Sequence, residues 1–125
     1  MAFQTITTDY FDKKFEKHTR KDGLLKERVI RELQAVSINP EIEVPKRHAL
    51  RGLRSVHVDP FVIIYTIIKD IVLLINFDDH DEAYDATPPI LNSLLSDPRT
   101  IEALENAGIS AEEYLQFIRT LGKRK

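Results

Sequence analysis

Phe61-Val-Ile-Ile-Tyr-Thr-Ile-Ile-Lys-Asp-Ile-Val-Leu-Leu-Ile-Asn-Phe77 is the stretch that decides the fold. It holds two β-rich apolar runs with Lys69-Asp70 between them, the pattern of a hairpin closed by a tight turn. In the first run Phe61, Ile63, Tyr65 and Ile67 share one face, and Val62, Ile64, Thr66 and Ile68 the other. The second run sets Ile71, Leu73, Ile75 and Phe77 against Val72, Leu74 and Asn76. Both faces of this hairpin are apolar, so both must be covered by other elements.

Upstream, residues 3 to 7 (FQTIT) alternate as a short first strand. Thr8 or Asp9 is placed to cap a helix running to about His18, with Tyr10 or Phe11 and Phe15 on its apolar side. After Lys21-Asp22-Gly23, a second helix over Leu24–Val36 sets Leu25, Val29, Leu33 and Val36 at helical spacing, ending before Asn39-Pro40. This helix hairpin covers one face of the sheet. Residues 46 to 51 (KRHALR) read as an edge strand, Gly52 as a bend, and residues 54 to 68 as one long strand interrupted at Asp59-Pro60.

From Pro88 the pattern is helical again, with Ile90, Leu91, Leu94 and Leu95, then Ile101, Leu104 and Ile109, then Tyr114, Leu115, Ile118 and Leu121. Ser96 or Asp97 caps the middle helix with Pro98 at its first position. Ser110 and Glu113 have the form of a capping box, and Gly108 and Gly122 are helix stops. Residues 88–121 are expected to pack on the second face of the sheet. No linker or repeat separates them from what precedes, so the chain divides into residues 1–85 and a helical extension, 86–125, of the same globular unit.

The length of 125 residues suits one domain, and 42% hydrophobic with 30% charged residues is the balance of a folded, soluble protein. The absence of Cys excludes disulfides, thiolate zinc sites, iron–sulfur clusters and cysteine nucleophiles. Without a membrane-length apolar run or a signal-peptide pattern in MAFQTITTDYF, the expectation is a cytoplasmic protein away from the membrane. The net charge of −2 hides a polarity. Residues 1–57 carry 12 basic and 8 acidic side chains, whereas residues 58–122 carry 3 and 12. A chain so divided can present a cationic surface while near neutrality as a whole.

Two segments outside the core carry reactive groups. Lys46, Arg47, His48, Arg51, Arg54 and His57 precede the buried strand; Asp78, Asp79, His80, Asp81, Glu82 and Tyr84 follow the return strand. Antiparallel pairing is expected to bring residues 54–57 beside residues 78–80. Attack of a ribose 2′-OH on its own phosphate needs a base, an acid for the leaving 5′-oxygen, and cations for the phosphate. Histidine fills either proton-transfer role, Lys and Arg supply charge, and an aromatic ring holds an unstacked base. The site needs no metal or other cofactor. Plainer readings compete: the cations protect an edge strand, His18 favours the C-terminus of its helix, Tyr84 is core, and the acidic run is solvated or holds a divalent ion.

The series His48-x-Leu50-x-Gly52-x-Arg54-x-x-His57-x-x-Pro60, the apolar strand reaching Tyr65, and His80-x-x-x-Tyr84 after the return strand resembles the RelE/ParE superfamily of toxins from toxin-antitoxin modules, most of all its YafQ branch. The resemblance covers about residues 3–85. It implies an α+β fold, β-α-α-β-β-β, with a curved, mainly antiparallel sheet on which the C-terminal helices then pack. It further implies a ribosome-dependent mRNA endoribonuclease, neutralised by a cognate antitoxin, with mRNA and the ribosome as its other partners. His48, His57 and His80 become the proton-transfer candidates, with His80 as acid and His57 or His48 as base. Tyr84 is the stacking aromatic, and Lys46, Arg47, Arg51 and Arg54 contact RNA phosphate. The chain departs from the pattern in Phe61 after the proline, where YafQ-like proteins have an acid, in Asn76 where many relatives have Arg, and in Asp78 and Asp79 beside His80. Those departures imply an attenuated nuclease or, as the alternative, a catalytically inactive member of the fold that binds a protein partner or DNA.

Overall fold

The hairpin at the centre of the chain forms as its alternation requires. In the computed structural model, which describes residues 3–41 and 52–121, β3 (Phe61–Ile68) and β4 (Ile71–Asp79) pair antiparallel across the Lys69-Asp70 turn. Lys69 takes φ +54°, the left-handed backbone that primed hairpin turns need. β1 (Gln4–Thr7) lies parallel to β4, and β2 (Arg54–Val58) antiparallel to β3, which gives a four-stranded sheet in the order β1-β4-β3-β2. The crossover from β1 is the helix pair α1 (Asp9–Thr19) and α2 (Gly23–Ile38). The expected α+β order β-α-α-β-β-β is therefore observed, while the expected strand at residues 46–51 and the stop at Gly122 lie outside the described residues.

Two expectations are corrected within the sheet. Asp59-Pro60 does not interrupt one long strand; it reverses the chain, so that Val58 stands opposite Phe61 in a second tight hairpin, and the peptide between the two residues is cis. Proline has no N–H for a ladder bond, which suits it to a turn better than to a strand interior. The second correction concerns β4. Tyr65 pairs with Leu74 but Ile64 pairs with Asn76, leaving Ile75 as an extra residue. The bulge shifts the alternation by one, so Phe77 turns toward α1 and Asn76 toward the opposite face. Asn76 stabilises the bulge at both ends: its Nδ2 donates to the Ala83 carbonyl (3.3 Å), and its Oδ1 accepts from the Phe77 amide (2.8 Å).

Each face of the sheet has its own core. Phe11, Leu25, Val29 and Val36 of α1 and α2 pack on Val56, Val58, Ile63, Tyr65, Val72, Leu74 and Phe77. Thr8 caps α1 by accepting from the Phe11 amide (3.2 Å) and ties it to β4 by donating to the Leu74 carbonyl (3.0 Å). The other face, lined by Val62, Ile64, Ile68, Ile71, Leu73 and Ile75, is covered by α3 (His80–Leu94), α4 (Pro98–Asn106) and α5 (Ala111–Thr120). The C-terminal helices thus pack where the apolar second face requires them. Asp97 and the Ser110–Glu113 capping box start α4 and α5 as their residue types imply.

The start of α3 differs from expectation. It begins at His80 rather than near Pro88, because Asp79 caps it by accepting from the Glu82 amide (3.1 Å). The helix continues through Pro88-Pro89, which contribute no backbone N–H to its hydrogen-bond ladder. The expected division at residue 85 falls inside this helix. The C-terminal layer is bound to the rest by Arg99–Asp12 (2.6 Å) and Lys69–Glu113 (2.7 Å), and by Leu121, whose Cδ2 would stand 2.7 Å from a Cβ added at Gly52. Gly52 itself has φ +82°, so the bend expected there is one that favours glycine.

Candidate functional site

The ends of β2 and β4 meet at one edge of the sheet through the start of β3. His57 stands opposite Val62, and Val62 opposite Asp78, so the residue after Asp79 comes up beside His57. The His57 and His80 rings stack at 5.6 Å between centroids, 25° from parallel. His80 opens α3, and Tyr84, one turn later on the same side, meets the His80 ring edge-on at 4.9 Å. The Tyr84 hydroxyl donates to Ser55 Oγ (3.0 Å), and Ser55 shares its strand face with His57. Three of the expected site residues, His57, His80 and Tyr84, are therefore brought into one row.

A carboxylate accompanies each imidazole. Asp59 Oδ1 lies 3.8 Å from His57 Nδ1, and Asp81 Oδ1 lies 3.3 Å from His80 Nδ1. The Asp81 contact is within hydrogen-bond distance and orients the His80 ring with Nε2 outward, whereas Asp59 is a charged neighbour of His57 without a hydrogen bond to it. Both histidine side chains are about half exposed (51% and 57%), so a polymer can reach them from solvent. Imidazole can accept or donate a proton, so two adjacent rings are able to supply a base and an acid.

Arg54 is not brought to this row. It lies three residues back along β2, about 10 Å at the usual rise of a strand. Its partner across the ladder is Tyr65, on the face that packs against α1 and α2, and its Nη1 donates to the Glu41 carbonyl (3.3 Å). The reversal at Asp59-Pro60 explains the separation: the end of β2, not its start, neighbours the end of β4. Lys46, Arg47, His48 and Arg51 lie outside the described residues.

The acidic run after β4 divides by function. Asp78 is buried and accepts from Lys14 Nζ (2.8 Å) and the Asp79 amide (2.9 Å), with His18 Nε2 at 3.0 Å. Burial pushes its carboxyl up, but the Lys14 and Asp79 hydrogen bonds and the charges of Lys14 and His18 outweigh this and hold it below the ordinary carboxylate range. The Asp78 hydrogen bond raises Lys14 against its own partial burial. His18, expected only as a helix-terminal cation, packs its ring on Phe61 (4.7 Å) and Phe77 (5.8 Å) as well as pairing with Asp78. Lys14 and His18 were not legible as Asp78 partners; their i,i+4 spacing shows one helical face, but nothing local names the residue across the fold. Asp79 is a helix cap. Among the described residues no three His, Asp or Glu side chains converge as a metal-ligand cluster.

Comparison with known proteins places the chain in a family. The model of the family described as "ParE toxin of type II toxin-antitoxin system, parDE" matches residues 6–84. A protein of Methanocaldococcus jannaschii named "Putative toxin RelE4" is 28% identical over 76 residues, which are 58% of this chain and 81% of that one. Among solved structures, a mutant of Escherichia coli toxin RelE in the free state matches with TM-score 0.59 and 18% identity, covering 71% of this chain and 97% of RelE. The toxin-antitoxin complex RelBE2 of Mycobacterium tuberculosis gives 0.56 and 17%, over 64% of this chain and 100% of the matched one. The YoeB dimer of Staphylococcus aureus gives 0.56 and 12%, over 64% and 99%. These structures share the fold, and the family match ends at Tyr84, within α3. No described helix is long and apolar enough to cross a membrane. The chain belongs to the ParE family of type II toxin-antitoxin toxins, within the RelE/ParE superfamily.

Proposed function

We propose that this toxin is a metal-independent endoribonuclease that cuts mRNA on the ribosome, with His57 as base and His80 as acid. The observation that carries the proposal is the stacked His57–His80 pair, half exposed, with Tyr84 against its outer ring. In this mechanism His57 takes the proton of a ribose 2′-OH, and the oxygen attacks the adjacent phosphate. His80 protonates the departing 5′-oxygen, and Tyr84 holds a neighbouring base by stacking. Asp81, hydrogen-bonded to His80 Nδ1, orients that ring so that its Nε2–H is the proton given to the leaving oxygen, and Asp59 lies near His57 Nδ1. His48, Lys46, Arg47, Arg51 and Arg54 complete the proposed RNA-contacting set. The partner that silences the toxin is a cognate antitoxin, as solved relatives occur in toxin-antitoxin complexes.

The acidic surroundings favour a second reading. Asp59 and Asp81 stand beside the histidines, with Asp79, Glu82 and Asp85 in the same short segment, and each nearby carboxylate repels a phosphate where screening is poor. That reading is an attenuated enzyme or, at its limit, a silent binding module for a protein or DNA. Induced expression of the full chain, with growth and new mRNA 5′ ends as readouts, separates the two. The nuclease slows growth and produces new ends, and His80→Ala lowers cleavage by roughly 10²-fold or more. Cleavage that survives this substitution removes His80 as the acid, and an absence of new ends from the wild-type chain removes the nuclease altogether.

A further inference from the structure

Two cations lie on α2 next to the end of β2. A shallow polar depression of about 100 Å³ lies between α2 and the end of β2, lined by Arg28, Arg31, Glu32, His57 and Val58. Arg28 and Arg31 are three residues apart and so project from one side of α2, while Leu25, Val29 and Val36 hold its other side on the sheet. Both arginines are exposed, and neither forms an ion pair with a described residue. Glu32 is the one acidic lining residue, so the lining carries +1 with His57 neutral and +2 once His57 holds a proton.

We infer that Arg28 and Arg31 form an RNA phosphate subsite beside His57, guiding the strand from α2 across the His57–His80 pair toward Tyr84. The inference rests on the nuclease reading for the identity of the polymer, and it assigns to α2 the positioning role that Arg54, three residues back along β2 and bonded to Glu41, does not fill beside the end of that strand. Guanidinium groups suit the task because their fork of donors matches two phosphate oxygens. RNA is favoured over an acidic protein segment because the depression lies at the end of β2, the strand that carries His57 to its stack with His80.

The test measures binding apart from cleavage. A short fluorescent oligoribonucleotide with 2′-O-methyl sugars cannot be cut by 2′-OH attack, and its anisotropy titration at several salt concentrations gives the slope of log K against log salt. Losing two phosphate contacts on a single strand should reduce the magnitude of that slope by about 1.4. That is the result expected for Arg28→Gln/Arg31→Gln. Arg28→Lys/Arg31→Lys should keep the slope, and Lys13→Gln/Arg119→Gln, an equal change of charge on α1 and α5, should leave it unaltered. Circular dichroism melting checks that each variant is folded. A wild-type slope in the Gln pair overturns the subsite and leaves α2 to a protein partner. An equal drop in the distant pair, or no salt-dependent binding by the wild type, overturns it as well. The nuclease reading fails separately, through the absence of new mRNA ends from the full chain, whatever the slopes show.

Discussion

Asp78 illustrates how far residue types alone can be read. In the sequence it is the first member of an acidic run expected to repel phosphate beside His80; in the fold it faces away from solvent, against Lys14 and His18. His57, His80 and Tyr84 were legible because strand register and helical spacing are short-range rules that place them without knowledge of the rest of the fold. Arg54 was misplaced by one misread turn, and the Asp78 partners are some 60 residues distant in sequence, beyond any periodicity. The ion pairs have a measurable signature. Asp78→Asn should cost about 2 kcal/mol at pH 7, since charge-assisted hydrogen bonds contribute 1.5–3 and Lys14 is partly exposed. The folded carboxyl titrates below its ordinary value, so its stabilisation is complete above about pH 4 and lost as pH falls through the folded value. Urea midpoints of wild type and variant should therefore differ at pH 7, and the gap should narrow as pH falls below the ordinary carboxylate value. A gap that stays constant through the whole acid range would assign the loss to packing instead of charge.

At the scale of elements, the two-faced apolar hairpin was the most legible feature, because alternation reports each face directly and short turns admit few alternatives. Bulges are different: one extra residue leaves the composition of β4 unchanged yet exchanges the faces of Phe77 and Asn76. The exchange matters to the site, since Phe77 then supports the His18 ring and Asn76 fastens β4 to the first turn of α3, where His80 and Tyr84 sit. Asn76 is fully buried. Asn76→Ala removes the acceptor for the Phe77 N–H and should destabilise by about 1–3 kcal/mol, the usual loss for a buried donor left unsatisfied. Faster hydrogen exchange at the Phe77 amide should accompany a lower urea midpoint. Unchanged exchange at that amide would show that the bulge holds without Asn76.

The whole molecule poses the question of why about 40 residues follow a match that ends at Tyr84. The solved toxins are covered almost completely by 64–71% of this chain, and α4, α5 and the part of α3 after Tyr84 lie beyond the family match. Yet they are not appended to a finished surface. Val62, Ile64, Ile68, Ile71, Leu73 and Ile75 are at most 5% exposed, and the C-terminal layer is what covers them. At roughly 1.5–3 kcal/mol per large apolar side chain, uncovering six of them forfeits on the order of 10 kcal/mol, comparable to the entire stability of a domain this size. A cut after residue 87 also severs α3 within its capped length. Residues 1–87 alone should therefore aggregate, or remain soluble only as a species that binds a hydrophobic dye and melts without cooperativity. In the intact chain the amides of Leu91, Leu94, Leu104 and Ile118 should exchange only as slowly as those of β3 and β4, because one cooperative unit opens as a whole. A monomeric residue 1–87 fragment with a sharp thermal transition would show that the sheet tolerates an open face, and the helices would then be a separable addition to the toxin rather than half of its core.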